Sequence, residues 1–172
     1  MKMLERIVPT NIKKITNPDE ACTILNDLRA RLSERYPSRN YRNLDTKLDA
    51  TKGLLYQAKV AEETAGVVTG TKSDKHFFAR ALFVDPRYQK TNVVRDLIES
   101  VKADFDEISM TSLQFGEEQN ASREIQSRRQ TTLNAFYRGF GFVPQYPDLE
   151  KKSNLAGSTL RMIWKKSEHE NI

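Results

Sequence analysis

Two short stretches hold the residues whose types and order could do chemistry. In the first, Val84-Asp85-Pro86-Arg87-Tyr88-Gln89-Lys90-Thr91-Asn92-Val93-Val94, an apolar run passes through a polar loop into an amphipathic segment. A strand that ends in a short loop and opens a helix leaves the first helical N–H groups without intrahelical partners. Those groups and the helix dipole favour a bound phosphate. Lys90 and Arg95 add positive charge at the same place. In the second stretch, Phe136-Tyr137-Arg138-Gly139-Phe140-Gly141-Phe142, apolar residues at helical spacing stop at a glycine, the signature of a helix end.

In this order and spacing the two stretches resemble motifs A and B of the GNAT superfamily of N-acetyltransferases. The resemblance implies acetyl-CoA as co-substrate and direct transfer of its acetyl group to an amine. Leu82, Phe83 and Val84 then fall on the strand that accepts pantetheine along its exposed backbone, beside a splay from the next strand. Gln89, Lys90, Thr91, Asn92, Val93, Val94 and Arg95 fall on the pyrophosphate loop, whose family pattern is Arg or Gln, two variable residues, Gly, one variable residue, Gly or Ala. Gln89 matches. Asn92 and Val94 replace glycines, and Lys90 stands where a further glycine is common. Asn tolerates a left-handed backbone better than other side chains, whereas Val at 94 brings a branched side chain toward a pyrophosphate that needs close backbone approach. Tyr137 corresponds to the family's general acid toward the leaving thiolate. Gln130 stands where many members carry a cofactor-contacting Asn. The replaced glycines also admit an alternative, a catalytically inactive GNAT-fold protein that binds a protein or nucleic-acid partner.

A neutral amine nucleophile requires something to accept a proton. Glu117 and Glu118 follow a strand-like run and could face the cleft, although carboxylates in a polar loop are usually only solvated. His76 begins a strand, where a surface or capping role is the commoner one. No base is assigned from these residues. Tyr36, Arg39, Tyr41, Tyr146 and Asp148 fall on the side where an acceptor would enter. Arg123, Arg128, Arg129 and Arg138 share no helical stripe and read as a solvated face.

The elements that must position these residues follow from periodicity. Within 172 residues, one domain covering the whole chain is expected. Leu4 to Val8 reads as a first strand. Asn17-Pro18-Asp19-Glu20 starts a helix carrying Ala21, Leu25, Leu28 and Leu32, which ends before Pro37. A weaker helical pattern covers Leu44 to Thr51. Strands are expected at Leu54 to Ala61, Ala65 to Thr69 and His76 to Val84, with a turn at Glu62 to Thr64. A helix from Val93 follows, then a strand at Ile108 to Phe115. The polar run Glu117 to Thr132 grades from loop into the helix ending near Gly141, and strands are expected at Phe142 to Tyr146 and Thr159 to Trp164. This order implies an α/β (α+β) fold: a mixed, mostly antiparallel sheet of about six or seven strands with helices on both faces.

Composition narrows the function classes. Apolar residues make up 38% and charged ones 30%, and no apolar run reaches the length of a membrane span. The first residues lack the apolar core of a secretion signal, so a cytoplasmic location is expected. Cys22 is the single cysteine and His76 and His169 are the two histidines, too few soft ligands for a structural metal site, so no metal is expected. The net charge of +5 favours anionic partners without choosing among them. An unpaired edge beside the last strands offers a surface for homodimerisation.

Overall fold

The computed structural model describes residues 5–39, 41, 47–112, 122–146 and 160–166. The strands are β1 (Asn11–Ile15), β2 (Gly53–Val60), β3 (Glu63–Ser73), β4 (His76–Val84), β5 (Glu107–Thr111), β6 (Val143–Pro144) and β7 (Arg161–Lys165). They form one sheet in the order β1-β2-β3-β4-β5-β7-β6. Every neighbouring pair is antiparallel except β4 and β5, which run parallel. Helix α1 (Pro18–Arg35) lies on one face; α2 (Val93–Asp104) and α3 (Arg123–Gly139) lie on the other. The expected mixed sheet with helices on both faces is what the chain forms.

Local chemistry accounts for the helices. The Asn17 side chain accepts from the amides of Asp19 and Glu20, and Pro18 stands in the first turn, where a missing N–H costs nothing. Leu25, Leu28 and Leu32 of α1 bury against Leu55, Val67 and Phe83 of the sheet. On the opposite face Val93, Leu97, Ile98 and Val101 of α2 join Tyr56, Phe77 and Tyr137 in the larger core. Ser122 caps α3 by accepting from the amide of Ile125.

Several boundaries differ from the sequence reading. The first strand is Asn11–Ile15, not the stretch ending at Val8; Glu5 to Thr10 lies against the β4–α2 loop, joined by a bridge between Arg6 and Thr91. Leu4 itself lies outside the described residues. Of the helix expected at Leu44 to Thr51, residues 44–46 lie outside the described residues. The remainder is a turn in which Asp49 Oδ1 accepts from the amides of Thr51 and Lys52. The β2–β3 hairpin turns through Ala61 (φ 49°) and Glu62 (φ 68°), a left-handed pair that usually calls for Asn or Gly. Lacking that signal, the sequence reading put the turn at 62–64. β5 ends at Thr111, with 113–115 outside the described residues, and the strand expected at Phe142 to Tyr146 is only Val143–Pro144.

Two irregularities shape the middle of the sheet. The β4–β5 ladder runs from His76↔Glu107 to Ala79↔Met110 and stops, while β4 continues to Val84. Among the described residues no β4–β5 pair follows Ala79↔Met110. The β3–β4 register also shifts, with Gly70 opposite Ala79 but Thr69 opposite Ala81, so Arg80 is the extra residue of a bulge. The bulge reverses the alternation of side chains. Phe77 and Ala79 before it, and Leu82 and Val84 after it, all join the core under α2 and α3, while Phe83 turns to α1. Gly70 is required here, because a Cβ would sit 2.3 Å from the Phe78 carbonyl oxygen.

Candidate active site at the parting of β4 and β5

The segment after β4 makes one 3-10 turn, Pro86–Tyr88, capped by Asp85, whose Oδ1 accepts from the amide of Arg87. The amides of Gln89, Thr91 and Val93 bond within the loop, to Pro86 O, Tyr88 O and Thr91 Oγ1. The bridge to Arg6 turns the Asn92 amide toward the N-terminal segment, while among the described residues nothing accepts from the amides of Lys90, Val94 or Arg95. These three N–H groups gather where α2 begins, the arrangement that suits a phosphate.

Asn92 does not use a left-handed backbone. Its φ of −72° and ψ of −2° are ordinary right-handed values, so the expected need for glycine-like freedom is absent. Its side chain, 8% exposed, grips the N-terminal segment instead. Oδ1 accepts from Val8 N at 2.7 Å, and Nδ2 reaches Val8 O at 3.1 Å and Asp96 Oδ2 at 2.6 Å. Arg6 N donates to Lys90 O at 3.0 Å. The loop's carbonyl side and the Asn92 amide thus face the strap of residues 5–10. Val94 is half-buried and packs against the core. Arg95 pairs with Glu5, whereas Gln89 and Lys90 are exposed.

An apolar pocket of about 330 Å³, the open solvent at its mouth included, lies between β3, β4, β5, α2 and α3. Ala79, Leu82, Met110, Tyr137 and Phe142 are among its lining residues. Tyr137 is 4% exposed, packed edge-on against Phe136 and Phe142. Burial raises its hydroxyl well above the ordinary tyrosine range, with no charged neighbour contributing. Gln130 lies two turns before it on α3, and its Nε2 donates to Ser112 O, Ser112 Oγ and Asn134 Oδ1. Its amide therefore ties α3 to the residue that follows β5. Leu82 is half-buried and Phe83 and Val84 are buried; on the side away from β3, their backbone meets no β5 partner among the described residues.

The opposite face of the sheet carries a different chemistry. Tyr41 packs edge-on against Phe83 at 5.4 Å, and Arg39 lies over the Tyr36 ring. Burial raises the Tyr41 hydroxyl, against a pull from the nearby Arg39 guanidinium. Tyr146 lies beyond β6, separated from β4 by β7 and β5, so it does not join this group. Asp148, Glu117 and Glu118 lie outside the described residues.

Two clusters escaped the sequence reading. Arg31, Arg35 and Arg87 converge on Glu63 and on the fully buried Asp85, bracing the start of the phosphate-type loop from α1. Nothing local signals this, since α1 and the loop lie far apart in sequence. The second joins His76 Nε2 to Ser109 Oγ at 2.7 Å, with Glu107 Oε2 3.9 Å from His76 Nδ1. Its one sequence signal is the i, i+2 spacing of Glu107 and Ser109, which puts both on one strand face.

A mixed seven-stranded sheet whose single parallel pair ends beside an open helix start defines the class: an α/β fold of the acetyltransferase type. The chain belongs to the GNAT acetyltransferases, for the family model described as "Acetyltransferase (GNAT) domain" matches residues 31–156. Among solved structures it is similar to the PaiA N-acetyltransferase of Thermoplasma acidophilum in complex with coenzyme A. The TM-score is 0.54 and the identity 13%, covering 92% of this chain and 99% of that one. An acetyltransferase from Streptococcus agalactiae gives a TM-score of 0.51 at 16% identity, covering 91% and 98%. No curated protein sequence matches. Among the described residues no helix is long and apolar enough to cross a membrane.

Proposed function

We infer that this chain is an acyl-CoA-dependent N-acetyltransferase that moves an acetyl group from acetyl-CoA to an amine by direct attack. The observation that carries the reading is that the described β4–β5 ladder stops at Ala79↔Met110 while β4 runs on to Val84, beside three unpartnered amides at the start of α2. An extended thioester arm would run along the free edge of Leu82, Phe83 and Val84, with its pyrophosphate on the amides between Gln89 and Arg95. The complexed coenzyme A of the Thermoplasma protein supports a CoA-type ligand for the shared fold.

Within this reading the amine lone pair attacks the thioester carbon, a C–N bond forms, and the C–S bond breaks with its electrons on sulfur. Tyr137, buried in the cavity wall and held protonated, delivers a proton to the departing thiolate. Thr91 and Val93 hold the loop in shape through the Thr91 hydroxyl, and Asn92 does so through Val8. Gln130 fixes α3, and so Tyr137, against the residue after β5.

Calorimetric titration with acetyl-CoA, with CoA as comparison, tests the reading. Micromolar binding, worth about 8 kcal/mol, is expected. Absence of binding at millimolar ligand would overturn it in favour of an inactive scaffold that binds a macromolecule.

A further inference from the structure

We propose that Ser109 and His76 form the proton relay that takes the acceptor's protons, with Glu107 as the residue that steadies the charged imidazole. The proposal rests on the acetyltransferase reading above and supplies the base that the sequence left unassigned.

The argument begins with the two faces of the sheet. Ile108 and Met110 point into the core under α2 and α3, so Glu107, Ser109 and Thr111 present the other face. His76 and Phe78 share that face, since Phe77 between them is core. Helix α1 packs on Leu55, Val67 and Phe83 and leaves this region uncovered among the described residues, where Phe78 is 43% exposed. Tyr137 lines the cavity on the α2 and α3 side. A thioester held in the gap between β4 and β5 would therefore meet an acid from one face and open to an amine from the other.

Ser109 stands at that opening. It pairs with Phe78, and the next pair, Ala79↔Met110, is the last of the described ladder. Its Oγ lies 2.7 Å from His76 Nε2. The imidazole stacks on Phe78 with ring centroids 3.9 Å apart, which fixes the ring plane, and its Nδ1 faces Glu107 at 3.9 Å. With the proton on Nδ1, Nε2 accepts from the serine hydroxyl. The side chains are 25% exposed for His76 and 35% for Glu107, enough for exchange with water.

The protons then balance. An entering ammonium gives one proton to Ser109 Oγ as the serine proton passes to His76 Nε2; the imidazolium, facing Glu107, returns it to solvent. The neutral amine attacks, and its second surplus proton leaves by the same path as the amide forms. The thiolate takes its proton from Tyr137, which is restored from water. The net change is one proton released per ammonium acetylated. Other groups around the imidazole are Ser73 paired with it on β3, Lys165 paired with Glu107 on β7, and the Lys75, Asp106 and Lys166 cluster at the strand start. These charges set the baseline of any pH profile.

The test uses the full chain, acetyl-CoA, and whichever amine it acetylates among a polyamine, a lysine-bearing peptide and an aromatic amine. His76→Gln is expected to lower kcat roughly 100-fold at neutral pH and to flatten the acidic limb of the kcat profile. Acetyl-CoA affinity should stay unchanged, and added imidazole should restore part of the rate. Ser109→Ala should lower kcat in the same direction, and Glu107→Gln should lower kcat less than His76→Gln does, with KM unchanged. Unaltered kcat and pH profile in His76→Gln, with acetyl-CoA still bound, would overturn the relay and leave the acetyltransferase reading standing. No acetylation of any amine by the unaltered protein would overturn both.

Discussion

Replacing Asn92 with alanine separates two accounts of the loop. By sequence pattern alone Asn92 is a damaged glycine, and trimming it should help or do nothing. By structure it is a clamp on the N-terminal strap, and trimming it should hurt. Asn92→Ala removes the acceptor of Val8 N, a donor to Val8 O and a donor to the Asp96 carboxylate. Each neutral bond is worth about 1 kcal/mol net, one to a charged group about 1.5 or more, and a stranded buried donor costs further. Partial exposure of Val8 and Asp96 lets water recover some of this. A loss of about 2–3 kcal/mol remains, or roughly 5–10 °C in Tm for a domain of this size. Urea unfolding with an unchanged m value would measure it directly.

Two companions sharpen the test. Asn92→Gly should cost at least as much as alanine, because the native φ of −72° gives glycine no advantage and its backbone freedom adds to the loss. Asn92→Asp keeps an acceptor for Val8 N but sets a second carboxylate beside Asp96, so it should recover stability as pH falls through the carboxylate range. A change under about 0.5 kcal/mol in Asn92→Ala, within the scatter of surface substitutions, would refute the clamp. If Asn92→Gly also tightened coenzyme A binding, the damaged-glycine account would stand.

Tyr137→Phe should slow acetyl transfer roughly 100-fold with acetyl-CoA affinity nearly unchanged. Stability should shift by less than about 1 kcal/mol, since no described residue bonds the hydroxyl; unchanged turnover removes it from the acid role. Gly70→Ala should destabilise by about 2 kcal/mol or more, because the Cβ meets the Phe78 carbonyl at 2.3 Å and the Phe77 ring at 2.6 Å; thermal melting checks it. The Glu63 carboxylate is held below its ordinary range, first by the Arg87 hydrogen bond and then by Arg31 and Arg35, although partial burial opposes them. Because the folded value is the lower one, this stabilisation is complete above the unfolded value of about 4.3 and is lost as pH falls through the folded value. Glu63→Gln should therefore flatten the fall of stability below about pH 4.3, and an unchanged acid unfolding curve would refute the cluster's role.

The fold was legible wherever burial imposes a period. The stripe of Val94, Leu97, Ile98 and Val101 gave α2, and Asn17-Pro18 gave the start of α1, because both signals act within a few residues. The β2–β3 turn was misplaced because Ala61 and Glu62 adopt left-handed backbone without the residues that usually announce it. The first strand was misplaced because Asn11–Ile15 pairs on one side only and alternates weakly, while Glu5 to Val8 is apolar enough to imitate a strand. Site legibility divides along the same line. Gln89 to Arg95 could be located by pattern. What Asn92 does could not, because its partner is Val8, and the bulge at Arg80 depends on the register of a different strand.

That division bears on how a GNAT loop can lose its glycines. A glycine in such a loop serves either a backbone angle that other residues avoid or the close approach of a ligand. At 92 the angle is ordinary, so only close approach remains, and there the Asn92 side chain is engaged in holding Val8. At 94 the Val side chain packs against the core from within α2. The substitutions thus exchange a flexible cradle for one braced from behind, by the strap of residues 5–10 on one side and by the Arg31, Arg35, Arg87, Glu63 and Asp85 cluster on the other. A braced loop loses less conformational entropy when it orders around a ligand. The consequence is specific to this chain: weakening either brace should raise the coenzyme A dissociation constant while leaving that for pantetheine, which lacks the pyrophosphate, unchanged. Equal losses for both ligands in Asn92→Ala and Arg87→Ala would show that the braces support the fold and not the cradle.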